Sequence, residues 1–190
     1  MEFLDNKTIK LDRELSELDK FTLDFIKILK KYTNYVIISG YVSIILGRAR
    51  ASEDIDIIIP KLNSHKFEEL TSELKKENYY CLNTNEDKDM FDYITNKVAI
   101  RFAKQNTVIP NIELKFAKNK SDLIALEKTI TIKTNNQEII ISNLELQIAF
   151  KEKILKSPKD LEDARHIRNI AKDYLDLELI KKYEVLLNEF

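Results

Sequence analysis

Residues 38–59 read ISGYVSIILGRARASEDIDIII, and they bring two glycines, two arginines and two spaced aspartates into one short stretch. Gly40 and Gly47 are the only glycines among 190 residues, whereas usage of about 7% would give roughly thirteen. A strand ending at Gly40 with a helix directly behind it aims backbone N–H groups at one point, and the missing Cβ lets a phosphate come close. Thirteen residues separate Gly40 from Asp54, enough for a helix and a turn. A second strand then returns beside the first and carries Asp54 and Asp56 to the same edge. Their period-2 spacing puts both carboxylates on one face, with Ile55 and Ile57 on the other. Paired carboxylates at a phosphate site suit a divalent cation, since magnesium is held by one or two carboxylates plus substrate phosphates.

Placing these residues requires a particular series of elements. Leu11, Leu15, Leu18, Phe25 and Leu29 predict an amphipathic helix over about 11–32. YVIIS (35–39) reads as a buried strand ended by Gly40, and 41–46 as a helix closed by Gly47. DIDIII (54–59) is a second strand stopped by Pro60, followed by a helix at about 63–77 and a short strand at 79–83. VAIRFA (98–103) and IELKFA (112–117) predict two more strands, paired around a loop at Pro110. TITIKT and EIIIS predict a further hairpin turning at Asn135-Asn136. From Leu144 onward only helices are expected, at about 143–155, 158–173 and 176–189. The fold class is therefore α/β (α+β): a small mixed sheet with flanking helices over 1–142, and a C-terminal helical lobe over 143–190.

Composition sets the class of protein. Hydrophobic residues at 44% and charged residues at 33% fit a soluble globular chain with a real core. No apolar run reaches the roughly 18 residues of a membrane span, and MEFLDNKTIK lacks a signal-peptide pattern. The single Cys81 suits a reducing interior, so the expected location is the cytoplasm, with no membrane partner. One Cys and two His speak against a zinc site, and both histidines read as structural. Net charge is −1 overall, yet 97–133 carries eight Lys/Arg against three acids, and 53–92 eleven acids against five lysines. A basic patch beside an acidic site is what a metal-dependent enzyme with a polyanionic substrate needs; two solvated faces are the plainer alternative.

The order strand, Gly40, helix, Gly47-Arg48, Arg50, Asp54-Ile55-Asp56 resembles the signature of the DNA polymerase β-like nucleotidyltransferase superfamily. GRARASEDID further resembles the branch holding lincosamide nucleotidyltransferases and AbiEii-like toxin nucleotidyltransferases, where an Arg often stands four residues before the first Asp and a Ser or Thr two before it. Arg50 and Ser52 occupy those places. The resemblance implies a metal-dependent enzyme, with Asp54 and Asp56 as ligands of Mg2+ or Mn2+. Glu113, between Ile112 and Leu114, would complete the site as third ligand and help activate an attacking hydroxyl. An NTP is the implied substrate, met by Ser39, Gly40, Tyr41, Arg48, Arg50 and Ser52. A tRNA or other RNA, or a protein, is the implied acceptor, and an antitoxin protein the implied partner. A small antibiotic-type acceptor, or a non-catalytic nucleotide- or partner-binding module, are the alternatives.

Tyr41 departs from the pattern, which has Gly or Ser after the glycine. Its ring either turns aside from the phosphate site or fills it. In the helical lobe, Ser157-Pro158-Lys159-Asp160 reads as a helix start, with a cap serine, a first-turn proline and an acid three residues on. A lysine on one helix followed by Lys159-Asp160-x-x-Asp163 on the next is similar to the last motif of AbiEii-like enzymes, in which a lysine contacts phosphate and the acids orient it. That lysine would be Lys153 or Lys151, and the acid Asp160. On the structural reading Asp160 is a cap, and Asp163 a solvated acid beside Arg165 or His166.

Overall fold

The computed structural model describes residues 1–135 and 137–187. Among these residues nine strands form one mixed sheet, and eight α-helices pack on it. The chain opens with a hairpin, β1 (Glu2–Asp5) and β2 (Thr8–Lys10), which the sequence reading did not assign. Helix α1 spans Glu17–Leu29 and starts later than the leucine spacing suggests. The reason is local: Ser16 caps Asp19 and Asp19 caps Ser16 in return, fixing the first turn there.

Strand β3 (Val36–Ile38) leads into α2 (Gly40–Ile45), and β4 (Asp54–Ile59) returns antiparallel to β3. Helix α3 (Ser64–Lys76), strand β5 (Tyr79–Cys81), helix α4 (Asp87–Thr95) and strands β6 (Ile100–Lys104) and β7 (Asn111–Phe116) follow. Strands β6 and β7 pair antiparallel, as their flanking loop predicts, and β7 lies parallel to β4. Helix α5 (Lys120–Glu127) precedes a hairpin of β8 (Thr129–Lys133) and β9 (Glu138–Ser142). Asn136, half of the expected turn, lies outside the described residues. Across the sheet the order is β1-β2-β8-β9-β3-β4-β7-β6-β5.

After Ser142 the described chain is helical: α6 (Leu144–Phe150), a π-helical turn over Lys151–Leu155, α7 (Pro158–Ile170) and α8 (Leu177–Leu187). The expected end of the last helix, 188–189, lies outside the described residues. None of the described helices is long and apolar enough to cross a membrane.

The two faces of the sheet have different roles. Ile55, Ile57, Ile112, Leu114, Phe102 and Phe116 are buried on one face. Phe25 of α1 reaches Phe102 there, and Phe67 of α3 reaches Phe116. Burying each such side chain is worth about 1.5–3 kcal/mol. The opposite face carries Asp54, Asp56, Glu113 and Lys115, and α5 and α6 pack on it beside Ile38 and Ile58.

Candidate active site

The carboxylate positions follow directly from register. Asp54 pairs with Asn111, and Asp56 with Glu113 on the neighbouring parallel strand and Ile38 on the antiparallel one. All three acids therefore share one face, and Ser39 and Gly40 follow Ile38 at its edge. The Ser52 hydroxyl reaches the Asp54 carbonyl oxygen at 3.1 Å and its Oδ1 at 3.4 Å, tying the preceding loop to Asp54.

Two cations share this face. Lys115 Nζ lies 3.5 Å from Asp56 Oδ1. Arg101, opposite Glu113 on β6, donates to Glu113 Oε2 from Nε at 3.2 Å and Nη2 at 3.1 Å. Burial pushes the Asp56 carboxyl above its ordinary range; Lys115 draws it back, and Glu113 and Asp54 push it up further. Asp56 thus feels the charge of both neighbouring acids. Three hard carboxylates on one face fit magnesium or manganese in donor chemistry. With Glu113 turned to Arg101, no three acid, His or Cys side chains among the described residues are gathered as a ready metal cage.

The residues of the strand-to-helix corner after β3 are placed with equal definition. Ser39 has φ +63°, a left-handed conformation that is costly for serine and is held in place by its neighbours. Its N–H donates to Gln147 Oε1 at 3.0 Å, so α6 fixes the strand-to-helix corner. Sequence reasoning missed Gln147, which gave no local signal. Gly40 is explained by a close approach: a Cβ there would meet the Arg50 guanidinium at 3.1–3.3 Å. Gly47 has φ +95°, the left-handed cap that closes α2. Gly47→Ala should cost about 1 kcal/mol, read as a lowered denaturation midpoint.

Tyr41 turns aside. Its side chain is fully buried and its hydroxyl donates to Asp19 Oδ1 at 2.8 Å. Asp19 also accepts from Arg13 at 2.7 Å and from Ser16, so the phenol joins a buried network on α1 instead of entering the Ser39–Gly40 corner. Tyr41→Phe should therefore cost about 1 kcal/mol of stability for the lost hydrogen bond and leave ligand affinity within twofold. A calorimetric titration beside a thermal melt checks both.

The helical lobe supplies a charged cluster around Asp163, which is not solvated as the plain reading of the sequence expected but fully buried. Arg48 and Lys151 both bond it, Lys151 at 2.8 Å, and Arg50 reaches it at 2.5 Å. Arg48 also pairs with Glu162 and donates to the Lys159 carbonyl. Lys151 is 1% exposed and lies 3.7 Å from Asp160, whereas Lys153 faces Glu184 of α8 at 3.8 Å. Of the two lysines considered, Lys151 is the one at the acids, turned inward where α6 widens into the π-helical turn. Asp160 does serve the helix start, its N–H donating to the Ser157 hydroxyl. His166 contacts the Leu46 carbonyl at 3.0 Å, a structural bond between α7 and the end of α2.

Burial would raise the Asp163 carboxyl, but Lys151, Arg48 and Arg50 hold it below the ordinary aspartate range; for Asp19 burial is likewise overcome by Arg13, Ser16 and Tyr41. Both acids are depressed in the folded state. The stability they contribute is present above the unfolded aspartate value of about 3.9 and is lost as pH falls through their folded values. Melting temperature should thus fall steeply below about pH 4, and Asp163→Asn should flatten that limb in a pH series of melts.

Beside Arg50 and Ser52 opens a groove of about 620 Å3 whose apolar wall is made by Leu18, Phe21, Ile109 and Pro110. Its size falls within the range of small-molecule clefts, roughly 300–1,000 Å3.

No family model matches the chain, and no curated protein does. Among solved structures, an antigenic nucleotidyltransferase-like protein from Paracoccidioides brasiliensis is similar at 18% identity, covering 90% of this chain and 86% of its own, with a TM-score of 0.50. This chain has that nucleotidyltransferase-like fold. The antibiotic-resistance factor ANT(2'')-Ia is similar at 14% identity and a TM-score of 0.47, with 90% of this chain and 93% of its own covered.

Proposed function

We propose that the protein is a nucleotidyltransferase, moving an NMP from an NTP to a hydroxyl acceptor. The observation that carries this reading is the Asp54, Asp56 and Glu113 register on one open face, next to the Ser39–Gly40 corner. The fold likeness supports it. Asp54 and Asp56 would hold Mg2+ or Mn2+, with Glu113 completing the set once released from Arg101. Such an ion, when bound, neutralises charge on the phosphates and polarises the α-phosphorus. The acceptor oxygen attacks that phosphorus, its proton passes to Glu113, and the bond to the β-phosphate oxygen breaks to release pyrophosphate. Arg50, over Gly40, adds positive charge at the phosphate corner. Asp160 lies against Lys151, Lys151 pairs with Asp163, and Asp163 holds Arg48 and Arg50 in place.

For the acceptor, a hydroxyl of tRNA or protein is the first reading, supported by the exposed cations Lys97, Arg101, Lys118 and Lys120. An antitoxin-type partner and a cytoplasmic setting go with it. The apolar groove beside Ser52 favours a second, a small hydroxyl-bearing molecule. Incubation with each α-labelled NTP and Mg2+ or Mn2+, divided among total RNA, cell protein and a hydroxylated small-molecule extract, separates the two. Label on RNA or protein supports the first, and label on a small product the second. Label in none of the three, with each ion tried, overturns the proposal.

A further inference from the structure

Three carboxylates on one face bring a charge problem, and the chain carries its own partial answer. Lys115 stands two residues beyond Glu113 on β7, on the same face, and diagonal to Asp56 on β4. Its Nζ is 3.5 Å from Asp56 Oδ1, and the side chains of both partners are about one-fifth exposed. This is a positive charge built into the sheet beside a carboxylate that would otherwise be shared between metal ions. A lysine ammonium is a compact point charge with three rotatable donors, able to take the electrostatic place of an ion without a fixed coordination shell. Glu113 is meanwhile drawn to Arg101 by two bonds to one oxygen. That leaves Asp54 and Asp56 as the carboxylate pair at the Ser39–Gly40 corner.

Resting on the nucleotidyltransferase reading, we infer that Lys115 is the resident second cation of the site, so that each chain takes one divalent ion and not a pair. Two-metal sites hold their ions roughly 3.5–4 Å apart and share carboxylates between them. An ammonium already on Asp56 repels a second ion from that shared ligand, and it neutralises charge on the same side of the site. Lys115 is then a positioning and charge-compensating residue for Asp56, and its removal should open a second ion site.

Mn2+ titration tests this, with free ion followed by its paramagnetic resonance signal, in the presence of α,β-methylene analogues of the four NTPs. Wild type should take up one Mn2+ per chain. Lys115→Met, which keeps length and loses charge, should take up two, and Lys115→Arg, which keeps the charge, should return to one. Circular dichroism melts establish that each variant is folded. Two ions in the wild type overturn the inference whether or not any variant folds, and so does a folded Lys115→Met that still takes one. Those results leave the nucleotidyltransferase reading intact. No Mn2+ uptake by wild type with any analogue overturns the inference together with that reading.

Discussion

Asp56→Asn should abolish nucleotidyl transfer while leaving the protein as stable as before, or more so. On the proposed reading, the charge lost from the metal site is worth several kcal/mol of transition-state stabilisation, which is a loss of a thousandfold or more. Stability moves the other way because Asp56 is an uneasy anion. Burial and its two acidic neighbours raise its carboxyl despite Lys115, so the folded state disfavours the charge that the chemistry uses. Neutralising it relieves that penalty. Initial rates with labelled NTP, paired with a thermal melt, check both halves. An active Asp56→Asn, or one inactive only because it is unfolded, would speak against a catalytic carboxylate.

The largest stability loss is expected at Asp163. Asp163→Ala would leave Arg48, Arg50 and Lys151 facing one another without the acid that binds all three. Breaking a buried ion pair by removing one partner costs about 3–5 kcal/mol. For a chain of this size each kcal/mol lowers the melting temperature by roughly 2–4 °C, so a fall of about 10 °C is expected at neutral pH. A shift under about 3 °C would mean that the cluster contributes little to the fold. Asp163→Asn keeps the shape and loses the charge, and it should lie between the two.

How far these sites can be read from sequence depends on where their neighbours come from. Strand β4 coincides with DIDIII because an alternating acidic-isoleucine run stopped by proline has one comfortable conformation, and Glu113 follows from the same alternation on β7. The pairing of Asp56 with Glu113 was readable only as an expectation, since they stand 57 positions apart and register is set by the whole sheet. Helices α4 and α5 went unassigned: both are short segments between strands, and α5 has little apolar periodicity. The burial of Asp163 was missed for a clearer reason. It lies in a run of alternating charge, and nothing adjacent in sequence bonds it. One signal was present: Asp160, Asp163, Ala164 and Ile167 fall at i, i+3, i+4 and i+7, so the two acids continue the buried stripe of α7. Acids on an apolar stripe call for buried cations, and Lys151, twelve residues before Asp163, is one that answers. Tyr41 illustrates the opposite case, where a local motif gave two arrangements and only a partner 22 residues away, Asp19, decided between them.

The most direct test is a calorimetric titration of each NTP with Mg2+ into the wild type and into Asp54→Asn and Asp56→Asn. The account predicts saturable binding of at least one NTP to the wild type, dependent on the ion and lost in both variants while their melts stay cooperative. Wild-type protein that binds no NTP at millimolar concentration with Mg2+ or Mn2+, or binding that survives both substitutions unchanged, would contradict it.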